Sequence, residues 1–313
     1  MLSRTASSIY WMARYLERAE NVARFVGVNL HLMLDMGIDP GHAQWKPLVT
    51  TSGDDADFAA RYDAPSERNV LAFLTFDEMN PNSIYSCVCR ARENARTVRD
   101  VISSEMWEQI NALYHLVVKA AEKQKLDNLE PFYQRIRSAS HHFAGLAEDT
   151  MSHGEGWHFA RMGRLLERAE KTSRMLDVKY FLLLPDAHYV DSPYDAVEWG
   201  AVLKSANGFE MYRKHFHNIN YKDVADFLIF EPVFPRSIAY CVSAAARSLA
   251  AITAELQVKA PAQGEMATLQ RMLAATSVEK VLADGLHEFI DLFQFNLNVV
   301  DQAIYRSFFA PYR

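Results

Sequence analysis

ARYLERAENVARFV (residues 13–26) and GRLLERAEKTSRML (residues 163–176) write one pattern twice. At an offset of 150, Arg14, Leu16, Glu17, Arg18, Ala19, Glu20 and Arg24 recur as Arg164, Leu166, Glu167, Arg168, Ala169, Glu170 and Arg174, without a gap. An offset of 154 aligns a second set further along. Trp45 matches Trp199, Val70 matches Val224, and Phe73-Leu74 match Phe227-Leu228. Phe76, Pro81, Ser83-Ile84 and Cys87-Val88 likewise match Phe230, Pro235, Ser237-Ile238 and Cys241-Val242. A four-residue change in the connecting loop accounts for the two offsets. Self-similarity held in register over such a span marks a repeat architecture, so the expectation is a duplication, roughly 1–150 and 151–313.

Both copies read as helix. Advancing 100° per residue places Ile9, Met12, Tyr15, Leu16, Ala19, Val22, Ala23 and Val26 on one apolar face. Glu20, Arg24, Glu17, Asn21 and Arg14 run along its edge. Glu20→Arg24 is an i,i+4 pair in the favourable orientation, repeated as Glu170→Arg174. Two readings stand side by side. Either the charges satisfy one another about a pseudo-twofold axis, as arginine's bidentate fork suits, or they line a polar cleft for an anionic ligand.

The remaining hydrophobic periodicity predicts helices near 6–36, 43–52, 66–77, 82–103, 105–124 and 129–149, then 155–184, 194–207, 220–229, 236–256, 264–276 and 278–307. Breakers fall between them at Pro40-Gly41, Pro65, Asn80-Pro81, Pro185, Pro193, Pro232, Pro235 and Pro261. No run of alternating β-branched residues suggests a sheet. The expected fold is all-α: a bundle of about 12 helices formed by two pseudo-symmetric halves in a single globular unit.

Composition agrees with a sizeable core, since half of the 313 residues are hydrophobic and 23% charged. A net charge of −6 disfavours broad electrostatic attraction to nucleic acid or to an anionic membrane. Cys87, Cys89 and Cys241 form an odd set without metal-binding spacing, which predicts reduced, packed thiols and a cytoplasmic location. The opening MLSRTASSIYWMARYLERAE lacks the apolar core of a secretion signal, and no stretch approaches the roughly 20 apolar residues of a membrane helix.

The helix expected over 82–103 carries Arg92, Arg96 and Arg99 in a line beside its apolar face, with Arg90 elsewhere. In the second half, alanine stands at 244, 246 and 250, where the first has Arg90, Arg92 and Arg96. The ridge either pairs with Glu17, Glu20, Glu167 or Glu170, or holds a phosphate or carboxylate. Other chemistry is not signalled. Glu155 and His158 make one ExxH, where a di-iron bundle needs two. His141, His142, His153, His215 and His217 lack zinc spacing. Familiar phosphate-binding and nucleophile loops are absent. The expectation is therefore no metal, no cofactor and no recognisable catalytic set.

Three blocks, LSRTASSIYWMARYLERAENVAR at the start, NPNSIYSCVCRARENARTVRDVISSEMWEQIN (80–111) and EGWHFARMGRLLERAEKTSRMLDVKYF (155–181), resemble the bacterial alpha-E family end to end. Its E-R motif carries onto Glu17-Arg18 and Glu167-Arg168. The resemblance implies an all-helical domain working beside circularly permuted ATP-grasp ligases and transglutaminase-like proteins, in systems that make or modify peptide amide bonds. A helical accessory or binding module is thus the expected function. The alternative is an enzyme in its own right, acting on a small anionic or peptide-like substrate with Glu17, Glu20, Glu167 or Glu170 as acid or base. A homodimer is a further expectation.

Overall fold

A computed structural model describes residues 1–36, 45–123, 126, 128–183 and 193–310. The expected breakers Pro40-Gly41 and Pro185, and the outermost residues of the helices expected over 43–52, 105–124 and 155–184, lie outside these. The described residues hold helices and no strand, so the all-α expectation stands. Packing divides the chain into two compact units, Met1–Arg164 and Leu165–Arg313.

In the first unit, α1 (Ser3–Met36) is followed by the short α2 (Lys46–Ser52) and α3 (Asp55–Ala59), then α4 (Glu67–Thr75), α5 (Ile84–Thr97), α6 (Ser104–Lys123) and α7 (Glu130–Thr150). α1 packs against α5 and α7, and α6 packs against both α5 and α7, so these four close a ring. The predicted apolar face of α1 is its core: Ile9, Met12, Leu16, Ala19, Val22, Ala23 and Val26 are all buried. So are Arg14, Glu17, Glu20, Asn21 and Arg24. The charged edge expected at the boundary of the face is interior.

α8 (Glu155–Leu183) begins in the first unit and continues in the second. There follow α9 (Pro193–Ser205), α10 (Phe209–His215), α11 (Tyr221–Phe230), α12 (Ile238–Leu256), α13 (Pro261–Ala274), α14 (Val278–Asp284), α15 (Leu286–Ile304) and a π-helical turn, Tyr305–Phe309. α13 packs between α12 and α15, and hydrogen bonds tie α8 to the second unit from two sides. Thr172 Oγ1 donates to Arg236 O at 3.0 Å, and Gln294 Nε2 donates to Ser173 Oγ at 3.3 Å.

The described residues therefore hold fifteen α-helices where about twelve were expected, and three differences account for the excess. α3 and α10, five and seven residues long, are too short to show a periodic stripe. The helix expected over 278–307 is two, broken at Gly285, whose φ of 110° is a left-handed conformation that a side chain resists. Pro261 opens α13 instead of preceding it, because the first helical turn needs no donor there. The helix expected over 82–103 also ends early, at Thr97, although Val98 and Ile102 stay buried.

Each unit carries the same two local devices. Ser83 caps α5 by accepting from Ser86 N at 3.1 Å, and Ser237 caps α12 by accepting from Tyr240 N at 3.1 Å. Before α4, Phe58 and Tyr62 stack at 5.1 Å and both meet Phe73 edge-on. Before α11, Tyr212 and Phe216 stack at 4.8 Å and both meet Phe227 edge-on. Ser237→Ala is expected to cost about 1 kcal/mol, the usual loss of an N-cap. Urea denaturation measures it, and an unchanged midpoint would refute the cap's role.

Close approach fixes one glycine. A Cβ on Gly163 would lie 2.5 Å from Tyr10 O, so only glycine lets α8 meet α1 there within the first unit.

Candidate functional site

α1 is buried on nearly every side between Met12 and Gly27, and its charges are consequently engaged. Arg24 donates through Nε to Glu20 Oε1 at 2.8 Å and through Nη2 to the same oxygen. His141 of α7 joins them, its Nε2 3.3 Å from Arg24 Nη2 and 3.6 Å from Glu20 Oε1. Asn21 Nδ2 donates to Glu17 Oε1 at 3.3 Å. Arg14 lays its guanidinium over Tyr10 and Trp11 and donates to Tyr10 Oη at 3.2 Å. Carboxylates buried beside partners of this kind keep their charge because each lost water is replaced by a donor.

Glu17 and Arg18 of the E-R motif part company. Glu17 is buried, whereas Arg18 is half-buried and donates to Asn82 Oδ1 at 2.6 Å. Asn82 in turn donates to Asp54 Oδ1 at 2.6 Å, and its own N–H donates to Asn80 Oδ1 at 2.9 Å. Arg18 therefore pins the turn that launches α5. In the second unit Arg168 reaches the turn that launches α12, donating to Pro235 O at 3.2 Å. The motif arginine is in both units a tether between a long helix and the turn before the next packed one.

The other charges of α8 repeat the local pairing. Arg174 Nε donates to Glu170 Oε1 at 3.1 Å. Glu167 is fully buried, with Lys171 Nζ 3.9 Å away; that ammonium, itself buried, lies 3.6 Å from Glu170. Arg164 is half-buried at the end of the first unit. Lys171 stands where the first copy has Asn21, so the two copies neutralise the first glutamate of the motif differently. The sequence comparison did not weigh that difference, nor His141.

The arginine ridge of α5 turns outward. Arg92 donates through Nε to Asn111 Oδ1 at 2.8 Å and pairs with Glu93 at 3.2 Å, its guanidinium lying over Tyr114 and Trp107. Arg96, largely exposed, pairs with Glu93 at 2.8 Å. Arg99 lies over Trp107 at 4.9 Å. The ridge thus pairs within α5 and stacks on α6, where one expectation had it neutralise Glu17 or Glu20. Trp107, Tyr114 and Asn111 complete it, and no periodicity argument singles them out. A separate open groove of about 460 Å³ between α6 and α7 is lined by Gln109, Leu113, Leu116, Gln134, Ser138 and His142. Its polar groups are already joined, with His142 Nδ1 3.1 Å from Gln109 Oε1.

One cluster escaped the sequence reading altogether. Asp177 of α8 and His287 and Asp291 of α15 bring three donor atoms within 4.8 Å of one another. His287 Nδ1 lies 2.7 Å from Asp177 Oδ1, and His287 Nε2 lies 3.5 Å from Asp291 Oδ2. Burial raises the Asp177 pKa despite the opposing imidazole, while the hydrogen bond to Asp177 raises that of His287. The i,i+4 spacing of His287 and Asp291 was legible, but Asp177 is 110 residues away.

No helix among the described residues is long and apolar enough to cross a membrane. Among known proteins, the chain is similar to an uncharacterized protein of Mycobacterium bovis and to two uncharacterized proteins of Mycobacterium tuberculosis, 25% identical over 310 residues in each case. The match takes in 90% of this chain but 34% of each relative, so the chain spans about a third of the length of the curated relatives it matches. No solved structure matches it. A family model described as a predicted alpha-helical domain with a conserved ER motif matches residues 1–309, and the chain accordingly belongs to the Alpha-E family.

Proposed function

We propose that this chain is a non-catalytic helical module that works with an ATP-grasp-type peptide or amide ligase, contributing a docking surface or a substrate-holding face in the cytoplasm. The observation that carries this reading is the closure of the LERAE charges. Glu20 is held by Arg24, Glu170 by Arg174, Glu17 by Asn21, and Glu167 lies beside Lys171. A general acid or base works on a proton it can reach in a substrate, and carboxylates locked to neighbouring cations or amides are poorly placed for that. The length of the relatives supports the same reading, because there the matching segment is one part of a much longer chain. The ligase and the transglutaminase-like partner rest on the family resemblance.

We further infer that the two units descend from a duplication. Support comes from the paired N-caps Ser83 and Ser237, the two ring clusters, and the tethers from Arg18 and Arg168. Cys87 and Cys241 add to it, each directing its thiol at a proline carbonyl six residues back. Even α3 and α10, which lack matching sequence, start 154 residues apart.

The test is affinity purification of the tagged chain from its native host. An ATP-grasp ligase retained by the wild-type chain is the expected result. A purified chain that turns over an anionic or peptide-like substrate alone, with loss in Glu17→Ala or Glu167→Ala, would replace this reading with an enzyme.

A further inference from the structure

Asp177, His287 and Asp291 have a geometry that an ion pair does not need. His287 and Asp291 are one helical turn apart on α15, so both side chains project to the same side. Asp177 approaches from α8 and takes the Nδ1 position of the imidazole at 2.7 Å, a hydrogen-bond length. That leaves the Nε2 lone pair directed away from α8, toward Asp291, when Nδ1 carries the proton. The gap between Nε2 and Asp291 Oδ2 is 3.5 Å, long for a hydrogen bond. Two ligands of one tetrahedral ion, each about 2.0–2.2 Å from it, lie about 3.3–3.6 Å apart. The spacing is therefore that of two donors facing one cation.

The surroundings fit as well. All three donor atoms fall within 4.8 Å, and the two carboxylates balance a double positive charge. His287 and Asp177 are partly buried while Asp291 is largely exposed, so the cluster opens to solvent on one side. Glu288 adds negative potential near His287, and Arg174 is the opposing charge near Asp177. A carboxylate on the far nitrogen of a metal-binding histidine is the arrangement that fixes tautomer and ring orientation at many metal sites.

We propose that Asp177, His287 and Asp291 form a divalent transition-metal site, with His287 Nε2 and Asp291 as direct ligands and Asp177 as the residue that orients the imidazole. A mixed imidazole and carboxylate set suits Zn²⁺ or Mn²⁺ better than Cu⁺, which prefers sulfur, or Mg²⁺, which prefers oxygen alone. With two protein ligands the ion keeps open positions, available to water or to a carboxylate or phosphate of a bound molecule. The site is independent of the ligase-module reading, since it uses none of the LERAE charges.

The experiment is isothermal titration of Zn²⁺, and separately of Mg²⁺, into the chelator-treated full chain. One Zn²⁺ per chain is expected, with Mg²⁺ far weaker. His287→Gln should abolish that binding event. Asp177→Asn should weaken it by about 10–100-fold, the usual effect of removing an orienting carboxylate. His153→Ala is the control, because that imidazole stacks on Trp157 elsewhere and should leave binding unchanged. If His287→Gln fails to fold, Asp291→Asn decides the matter, since its side chain is 64% exposed and its loss leaves packing intact. Zn²⁺ binding that is equal in wild type and Asp291→Asn, or no stoichiometric binding at all, would overturn the proposal and leave an imidazole held by two carboxylates.

Discussion

Glu20→Ala is expected to destabilise the protein by about 3–5 kcal/mol, because it strands the Arg24 guanidinium inside. The Glu20 and Arg24 side chains are 1% and 9% exposed, so water cannot take over the lost hydrogen bonds. His141 offers no rescue, being a donor or cation in its own right when charged. Replacing both partners with apolar residues of similar size, as in Glu20→Leu with Arg24→Met, should recover most of the loss, since that removes the stranded charge as well as the bond. The second copy supplies an internal control. Glu170 and Arg174 have the same spacing but are 17% and 28% exposed. Glu170→Ala should cost about 1 kcal/mol or less, as for pairs that water reaches. Chemical denaturation of the four variants checks the set. Equal losses for Glu20→Ala and Glu170→Ala would refute burial as the cause.

Phe227→Ala should cost the second unit about 3–5 kcal/mol, the range for deleting a buried phenyl ring. Phe227 stacks on Phe234 at 4.6 Å and receives Tyr212 and Phe216 edge-on. Those rings cannot collapse into the space, for two reasons. Tyr212 is anchored by its hydroxyl, which donates to Asn218 O at 2.7 Å. Gly208 is already pressed against the cluster, a Cβ there falling 3.0 Å from Phe234 and 3.2 Å from Phe227. The remaining cavity adds its own cost to the lost transfer free energy. For a unit of this size the loss corresponds to a fall in Tm on the order of 10 °C. Phe73→Ala, at the matching ring of the first unit, should lose a similar amount. A Phe227→Ala variant melting within about 2 °C of wild type would show that the cluster relaxes freely.

Much of the fold was legible because helical periodicity is a local signal. The seven buried apolar residues of α1 were read from spacing alone, and Ser83 and Ser237 sit where a cap must precede an apolar run. Gly285 was not legible as a break, since a lone glycine inside a periodic stretch is compatible with a continuous helix. α3 and α10 were missed because five or seven residues complete at most two turns.

The candidate site divides along the same line. The i,i+4 pairs Glu20–Arg24 and Glu170–Arg174, and the i,i+4 spacing of His287 and Asp291, are properties of one helix and stand in the sequence. Which of those pairs is buried is not, because burial depends on what packs against the helix. The tertiary structure decided that Arg24 is held inside while Arg174 meets water. It also decided that the α5 arginines turn to Trp107 and Glu93, and that Asp177 reaches a histidine 110 residues away. Sequence alone determined the helices and their repeated charges, because backbone hydrogen bonding and side-chain period act over a few residues. Partnership between helices comes from long-range packing, which no local pattern encodes.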